Sequence, residues 1–345
     1  MKSQNKNSKS TFLKKVLIKI CRLFNFEIID QSDLYLPVTD KFINEELSVI
    51  GEKSLTMPMG IINIIRPVKS LDIILRTCAS VNMLSQNKKR LFNEDKSEYT
   101  LRTLNSLIKS INNTKEIFDK INLKITIIDH NSENKIINQM KILLQNQFFE
   151  SEIINLKIEN FENQIEKLNQ QNKSVSNNQI SNMSNIHQSF LIAKDCKDLI
   201  YFVEDDYIHS IDSIKEMLLT YEKISTQLKQ ELFLCPTDYP YLYNKMEKTN
   251  ILLGNKYYWR QTNESLCTFL TSSVMVKKYW ETLTSACKIE HYPFEKPFHD
   301  IYKKEFCFSP MPSLALHFTN INSVYGLSPF IDYKELWEKN EIIRK

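Results

Sequence analysis

Apolar residues in this chain follow two alternating rhythms, short β-branched runs and longer stretches spaced three and four apart. Residues 59–65 (MGIINII), behind Pro58 and closed by Arg66-Pro67, predict a buried strand. Over residues 98–111, Leu101, Leu104, Leu107, Ile108 and Ile111 make one helical stripe. Residues 123–129 (LKITIID) predict a second strand, running into Asp129-His130-Asn131-Ser132, and residues 152–158 a short alternating third. Residues 160–185, rich in Asn, Gln and Ser, predict a surface loop, followed by a helix over 186–193 and a fourth strand over 198–203 (DLIYFV) that ends in acid. Further runs at 232–235 and 266–272 predict strands in the second half, and residues from 208 onward a helix. Strands and helices in alternation imply right-handed crossovers, hence an α/β fold with a mostly parallel sheet flanked by helices. In such sheets ligands sit at the carboxyl ends of the strands, where this reading places Arg66, Asp129 and the acids from residue 204 on.

Composition narrows the chemistry. A net charge of +4 over 345 residues argues against nucleic acid as a partner. Four glycines are too few for the glycine-rich turns that wrap phosphates in P-loop and dinucleotide folds. Seven scattered cysteines, none in a C-x-x-C pair, disfavour a disulfide framework or a zinc ribbon and fit a reducing, cytoplasmic setting. No apolar run reaches the roughly 20 residues that span a bilayer. Residues 12–26 instead alternate Phe12, Leu13, Val16, Leu17, Ile20, Leu23 and Phe24 with Lys14, Lys15, Lys19 and Arg22. That pattern suits a helix lying on an anionic membrane surface, one packed on the protein's own body, or an ordinary disordered basic start. The chain then divides into a basic extension (1–50), a first half (51–235) and a second half (236–345).

Glu204-Asp205-Asp206 is the most specific segment. Successive carboxylates repel, so the cluster calls for a compensating cation. In an extended chain Glu204 and Asp206 share a face and suit one hard divalent ion, while Asp205 points to a sugar hydroxyl or a backbone amide. Capping of the following helix explains one acid more readily than three.

The order of these elements, with IIDHNS after the second strand and FVEDDY after the fourth, resembles the nucleotide-sugar half of GT-A glycosyltransferases, close to family 2, over roughly residues 57–212. The resemblance implies a GT-A (Rossmann-like) fold and transfer of a sugar from a nucleoside diphosphate-sugar, a UDP-sugar by default, to a hydroxyl acceptor in surface-polysaccharide or glycolipid synthesis. Glu204-Asp205-Asp206 occupies the place of the family's D-x-D motif, which binds Mn²⁺ or Mg²⁺ against the donor diphosphate. Asp129 matches the acid that contacts the donor base, with Asn131 beside it; Arg66 departs from the family's usual small or polar residue.

In the second half, Tyr239, Tyr241, Tyr257, Tyr258 and Trp259 can stack on a sugar or fill the core, and Arg260 can pair with a phosphate or with a carboxylate. His317 suits a third metal ligand, as a late histidine is in some GT-A enzymes, or a structural role. Asp300 sits where the family places the acceptor-side base, with Asp238 and Glu295 as rivals and helix capping as the plainer explanation. A sugar nucleotidyltransferase and a non-catalytic carbohydrate-binding scaffold are the competing functions.

Overall fold

The computed structural model describes residues 12–26, 28, 48–56, 60–80, 90–244, 246, 248–319, 321 and 323–342; expectations for residues 1–11, 27, 29–47 and 57–59 lie outside them. In chain order the elements are α1 (Phe12–Leu23), β1 (Ser54–Thr56), β2 (Gly60–Ile62), β3 (Ser70–Thr77), α2 (Lys96–Asn112), α3 (Lys115–Phe118), β4 (Asn122–Asp129), α4 (Asn134–Leu144), β5 (Glu150–Asn155), α5 (Asn177–Asp195), β6 (Leu199–Glu204), β7 (Tyr207–His209) and α6 (Ser213–Leu228). The second half contributes β8 (Phe233–Leu234), β9 (Ile251–Leu253), β10 (Tyr258–Gln261), β11 (Phe269–Ser272), α7 (Ser273–Lys278), α8 (Trp280–Lys288), α9 (Lys296–Tyr302), β12 (Cys307–Met311), β13 (Ala315–His317) and α10 (Tyr333–Lys339).

One sheet carries nine strands in the order β5-β4-β3-β6-β11-β8-β12-β10-β9. Strands β5, β4, β3 and β6 pair in parallel, as the alternation of strand and helix predicts. Beyond β6 the sheet turns mixed: β8 and β12 are parallel, while β11, β10 and β9 enter antiparallel. The fold is α/β, its parallel half flanked by helices on both faces, and the sheet runs without a break across residue 235.

Alternation along β3 sorts its side chains between two cores. Ile73 and Leu75 join the cluster under α2 and α6, while Ile74 joins the cluster under α5, α8 and α9. Each fully buried Ile or Leu contributes about 2 kcal/mol. A third cluster, Tyr99, Ile208, Leu316, Phe318 and Trp337, fastens α10 beside the carboxyl edge of the sheet.

The first strand is not where the sequence pattern placed it. Residues 60–62 form only a two-stranded ribbon with β1, and the strand beside β4 and β6 is β3, SLDIILRT. Arg66 therefore lies before the amino end of β3, away from the carboxyl edge. There its guanidinium pairs with Asp198 at 2.5 Å and Glu231 at 2.9 Å. The expected loop over 160–185 also ends early, since α5 begins at Asn177 with the Ser176 hydroxyl accepting from the Gln179 N–H.

Candidate active site

Strands β3, β4 and β6 end in register, Thr77 opposite Asp129 and Arg76 opposite Glu204. Over these ends lies a cavity of about 440 Å³, in the size range of small-molecule sites. Glu204, Asp205, Asp206 and His317 line it, together with Arg76, Arg90, Lys96, Tyr99, Glu295 and Tyr325.

Each acid of the cluster meets its own cation. Glu204 closes β6 with Oε1 3.2 Å from Arg76 Nη2, and its Oε2 accepts from the Thr268 hydroxyl at 3.3 Å. Arg76 itself is buried, and its Nη1 donates to Asn182 of α5 at 3.1 Å. Asp205 lies 3.2 Å from Lys96 Nζ. Its Oδ2 accepts from the Cys78 N–H and the Thr100 hydroxyl, both at 3.1 Å. Asp206 lies 3.2 Å from His317 Nε2. The chain turns between β6 and β7, so Glu204 goes to Arg76 and Asp206 to His317; the expected shared face of Glu204 and Asp206 does not form one ligand pair.

Asp206 and His317 are the two side chains of the cluster that could hold a cation between them. His317 ends β13, stacked on Tyr207 of β7 with ring centroids 4.9 Å apart. Its Nδ1 faces the Tyr325 carbonyl at 3.2 Å. A carbonyl only accepts, so Nδ1 carries the hydrogen and Nε2 is directed at the carboxylate. Burial works against charge on both partners. Their mutual attraction overcomes it, raising the His317 pKa above its usual value and holding Asp206 well below the ordinary carboxylate range. A carboxylate oxygen and an imidazole nitrogen, the latter oriented by a carbonyl on its far side, make a sound donor set for a divalent ion. Among the described residues no group of three His, Cys, Asp or Glu could hold a metal. An ion held at this pair would have Asp206 and His317 as its two protein ligands.

Several expected contacts lie elsewhere. Asp129 is at the right strand end, but Oδ1 accepts from the Thr77 and Ser132 hydroxyls, each at 2.6 Å, and Oδ2 from the Ser132 N–H at 3.0 Å. It shapes its own turn, where Asn131 takes φ 58° and is exposed, and neither residue lines the cavity. Asp300 faces solvent on α9 between Lys296 at 3.3 Å and Lys303 at 3.0 Å, away from the cavity, because α9 turns its apolar face inward. Asp238 is buried and neutralised by Arg260, with the Tyr243 hydroxyl donating to it. Arg260 is thus taken by a carboxylate, not left for a phosphate. Trp259 is fully buried in β10 and donates to Glu216 at 3.2 Å, so it cannot stack on a sugar. Of the aromatic side chains, Tyr99, Tyr292, Phe294 and Tyr325 reach the cavity instead.

No family model matches the chain, and no curated protein matches it. Solved structures do. The chain is similar to S. aureus TarS (10% identity, 61% of this chain and 29% of that one, TM-score 0.34). It is also similar to the galactosyltransferase LgtC in complex with donor and acceptor sugar analogs (10% identity, 62% and 64%, TM-score 0.33). A UDP-glucose pyrophosphorylase complexed with UDP-glucose matches at 7% identity over 79% of this chain and 98% of its own, TM-score 0.35. The chain thus covers less than a third of TarS and under two thirds of LgtC. Likeness this slight carries no argument for a family, and the choice of function rests on the cavity's own residues.

Proposed function

We propose that this chain is a glycosyltransferase that moves a sugar from a nucleoside diphosphate-sugar, a UDP-hexose as first candidate, to a hydroxyl of a saccharide or lipid-linked acceptor. The observation that carries the reading is the Asp206–His317 pair, set at the carboxyl ends of parallel strands in a cavity also lined by Arg90 and Lys96. Paired anionic and cationic groups at such an edge suit a ligand that carries phosphates at one end and hydroxyls at the other.

Asp206 and His317 would hold Mn²⁺ or Mg²⁺, which when bound supplies positive charge against the departing diphosphate. Glu295, on the cavity wall, takes the base's role expected of Asp300 and Asp238. It accepts the acceptor hydroxyl's proton as the oxygen bonds to the anomeric carbon, and the electron pair of the breaking C–O bond leaves on the diphosphate. Tyr99 and Tyr325 border the space where the sugar ring would lie.

The acceptor's location motivates a second part of the proposal. No described helix is long and apolar enough to cross a membrane. Helix α1, however, leaves Val16, Leu17, Ile20 and Leu23 exposed on one side, continued by Phe24 and Phe26, with Lys19 and Arg22 also exposed. It would rest on an anionic leaflet and bring the cavity to a lipid-linked acceptor.

Purified protein incubated with UDP-hexoses and Mn²⁺ should release UDP, EDTA should stop the release, and Asp206→Ala should lower turnover at least a hundredfold in protein that still unfolds cooperatively, at a lower temperature because buried His317 loses its partner. Full turnover in that variant would falsify the assignment. Pyrophosphate formed from UTP and a sugar phosphate would assign nucleotidyl transfer instead. Absence of nucleotide binding would leave a carbohydrate-binding scaffold.

A further inference from the structure

Asp205, the middle acid of the cluster, is held too firmly to serve as a free ligand. The Cys78 N–H comes from the loop after β3, and the Thr100 hydroxyl comes from the second turn of α2. Together they fix Oδ2, and Lys96 Nζ sits 3.2 Å from Oδ1. The residue is 7% exposed, which leaves little room for a substrate hydroxyl.

Lys96 is in the opposite position. It is the first residue of α2, it lines the cavity, and a fifth of its side chain remains accessible (20%). An ammonium carries three donors; the pairing with Asp205 uses one and leaves others for a ligand. Its place at the amino end of a 17-residue helix adds the favourable end of the helix dipole for an anion. Burial opposes its charge, but Asp205 and Asp206 outweigh burial and hold it protonated.

We propose that Lys96 binds the diphosphate of the donor and that Asp205 is its positioning residue, acting on the donor through the lysine and not on the sugar. The assignment rests on the donor reading above. It gives the middle acid a task distinct from Asp206: Asp206 and His317 face the cavity themselves, whereas Asp205 fixes where a cationic side chain stands.

Titration of UDP, inorganic pyrophosphate and uridine into the full-length protein, followed by calorimetry, separates the ideas. Lys96→Gln should weaken UDP and pyrophosphate binding about tenfold or more, the usual scale for a lost charge-assisted contact, and leave uridine within twofold. Lys96→Arg should restore most of the lost affinity. Thr100→Val, which removes one of Asp205's holders without changing charge, should weaken UDP severalfold with uridine unchanged, and it carries the test if Lys96→Gln does not fold. Unchanged UDP affinity in Lys96→Gln overturns the assignment while the donor reading survives. If the wild-type protein binds UDP and pyrophosphate no better than uridine, the donor reading itself falls and Lys96 loses its ligand.

Discussion

Lys223, in the middle of α6, is fully buried with its ammonium donating to the Gly254 carbonyl at 2.8 Å. Burial pushes its pKa down to about 8, with Glu216 opposing the fall in part. The sign of the pH effect follows from proton binding. The unfolded chain keeps this proton up to about pH 10.4, while the folded chain releases it near 8. Between those values the unfolded state holds more protons, so stability rises with pH; below about 8 the penalty is present in full. A shift of this size corresponds to about 3 kcal/mol. Removing the amine also strands the Gly254 carbonyl, which costs about 1–3 kcal/mol. Lys223→Met should therefore change stability at pH 7 only slightly, yet abolish the rise in melting temperature between about pH 8 and 10 that the wild type should show. An identical pH slope in both proteins would mean the ammonium is solvated. Gly254 itself admits no substitution: a Cβ there would collide with Thr220 Oγ1 and the Trp259 indole. Gly254→Ala should lower stability by about 2 kcal/mol or more, read from denaturant midpoints, because the β9–β10 turn would have to leave Glu216.

Helix α1 and strand β3 show what element-level patterning can and cannot say. The amphipathic stretch was legible because its exposed and basic positions repeat within a few residues, and the structure keeps Leu23 82% and Phe24 70% exposed. Deleting residues 1–30 should abolish binding to phosphatidylglycerol vesicles in a sedimentation assay. Leu17→Glu with Phe24→Glu should weaken it by at least tenfold, and added salt should weaken it further, since each basic residue near an anionic surface contributes about 1 kcal/mol. Equal sedimentation of the truncated protein would assign α1 a contact with protein instead. Strand β6 was legible as an uninterrupted apolar run, and β4 as an alternating one in which Leu123, Ile125 and Ile127 flank Lys124 and Thr126. Strand β3 was not, because Asp72 and Arg76 interrupt its apolar run and MGIINII offers a stronger local pattern. Arg76 is tolerable at the end of a central strand only because Glu204 and Asn182 arrive from β6 and α5. No local window contains those partners.

At the scale of the whole molecule the site divides along the same line. Glu204-Asp205-Asp206 could be read because it is contiguous, whereas Arg76, the neighbouring Arg90 and Lys96, and Tyr325 converge on it from three distant segments. Three contiguous acids therefore do not by themselves demand a foreign cation: Arg76, Lys96 and His317 supply three positive partners from the chain itself. What distinguishes Asp206 is that its partner is an imidazole, which can give up its Nε2 proton and share a divalent ion with the carboxylate, while Arg76 and Lys96 stay protonated and cannot act as ligands. This distinction predicts coupling between metal and nucleotide. With two protein ligands, Mn²⁺ alone should bind weakly, and UDP alone should lack a counter-charge at one phosphate. Each should raise the melting temperature little. Both together should raise it by several degrees, because a ligand pair present at a hundred times its dissociation constant stabilises by about 2.7 kcal/mol. Asp206→Ala should erase the increment that Mn²⁺ adds to UDP and leave the UDP-only shift in place, since Lys96 and Arg90 remain. Additive shifts from Mn²⁺ and UDP, or an increment that survives in Asp206→Ala, would place the metal away from the Asp206–His317 pair and leave the diphosphate to the protein's own cations.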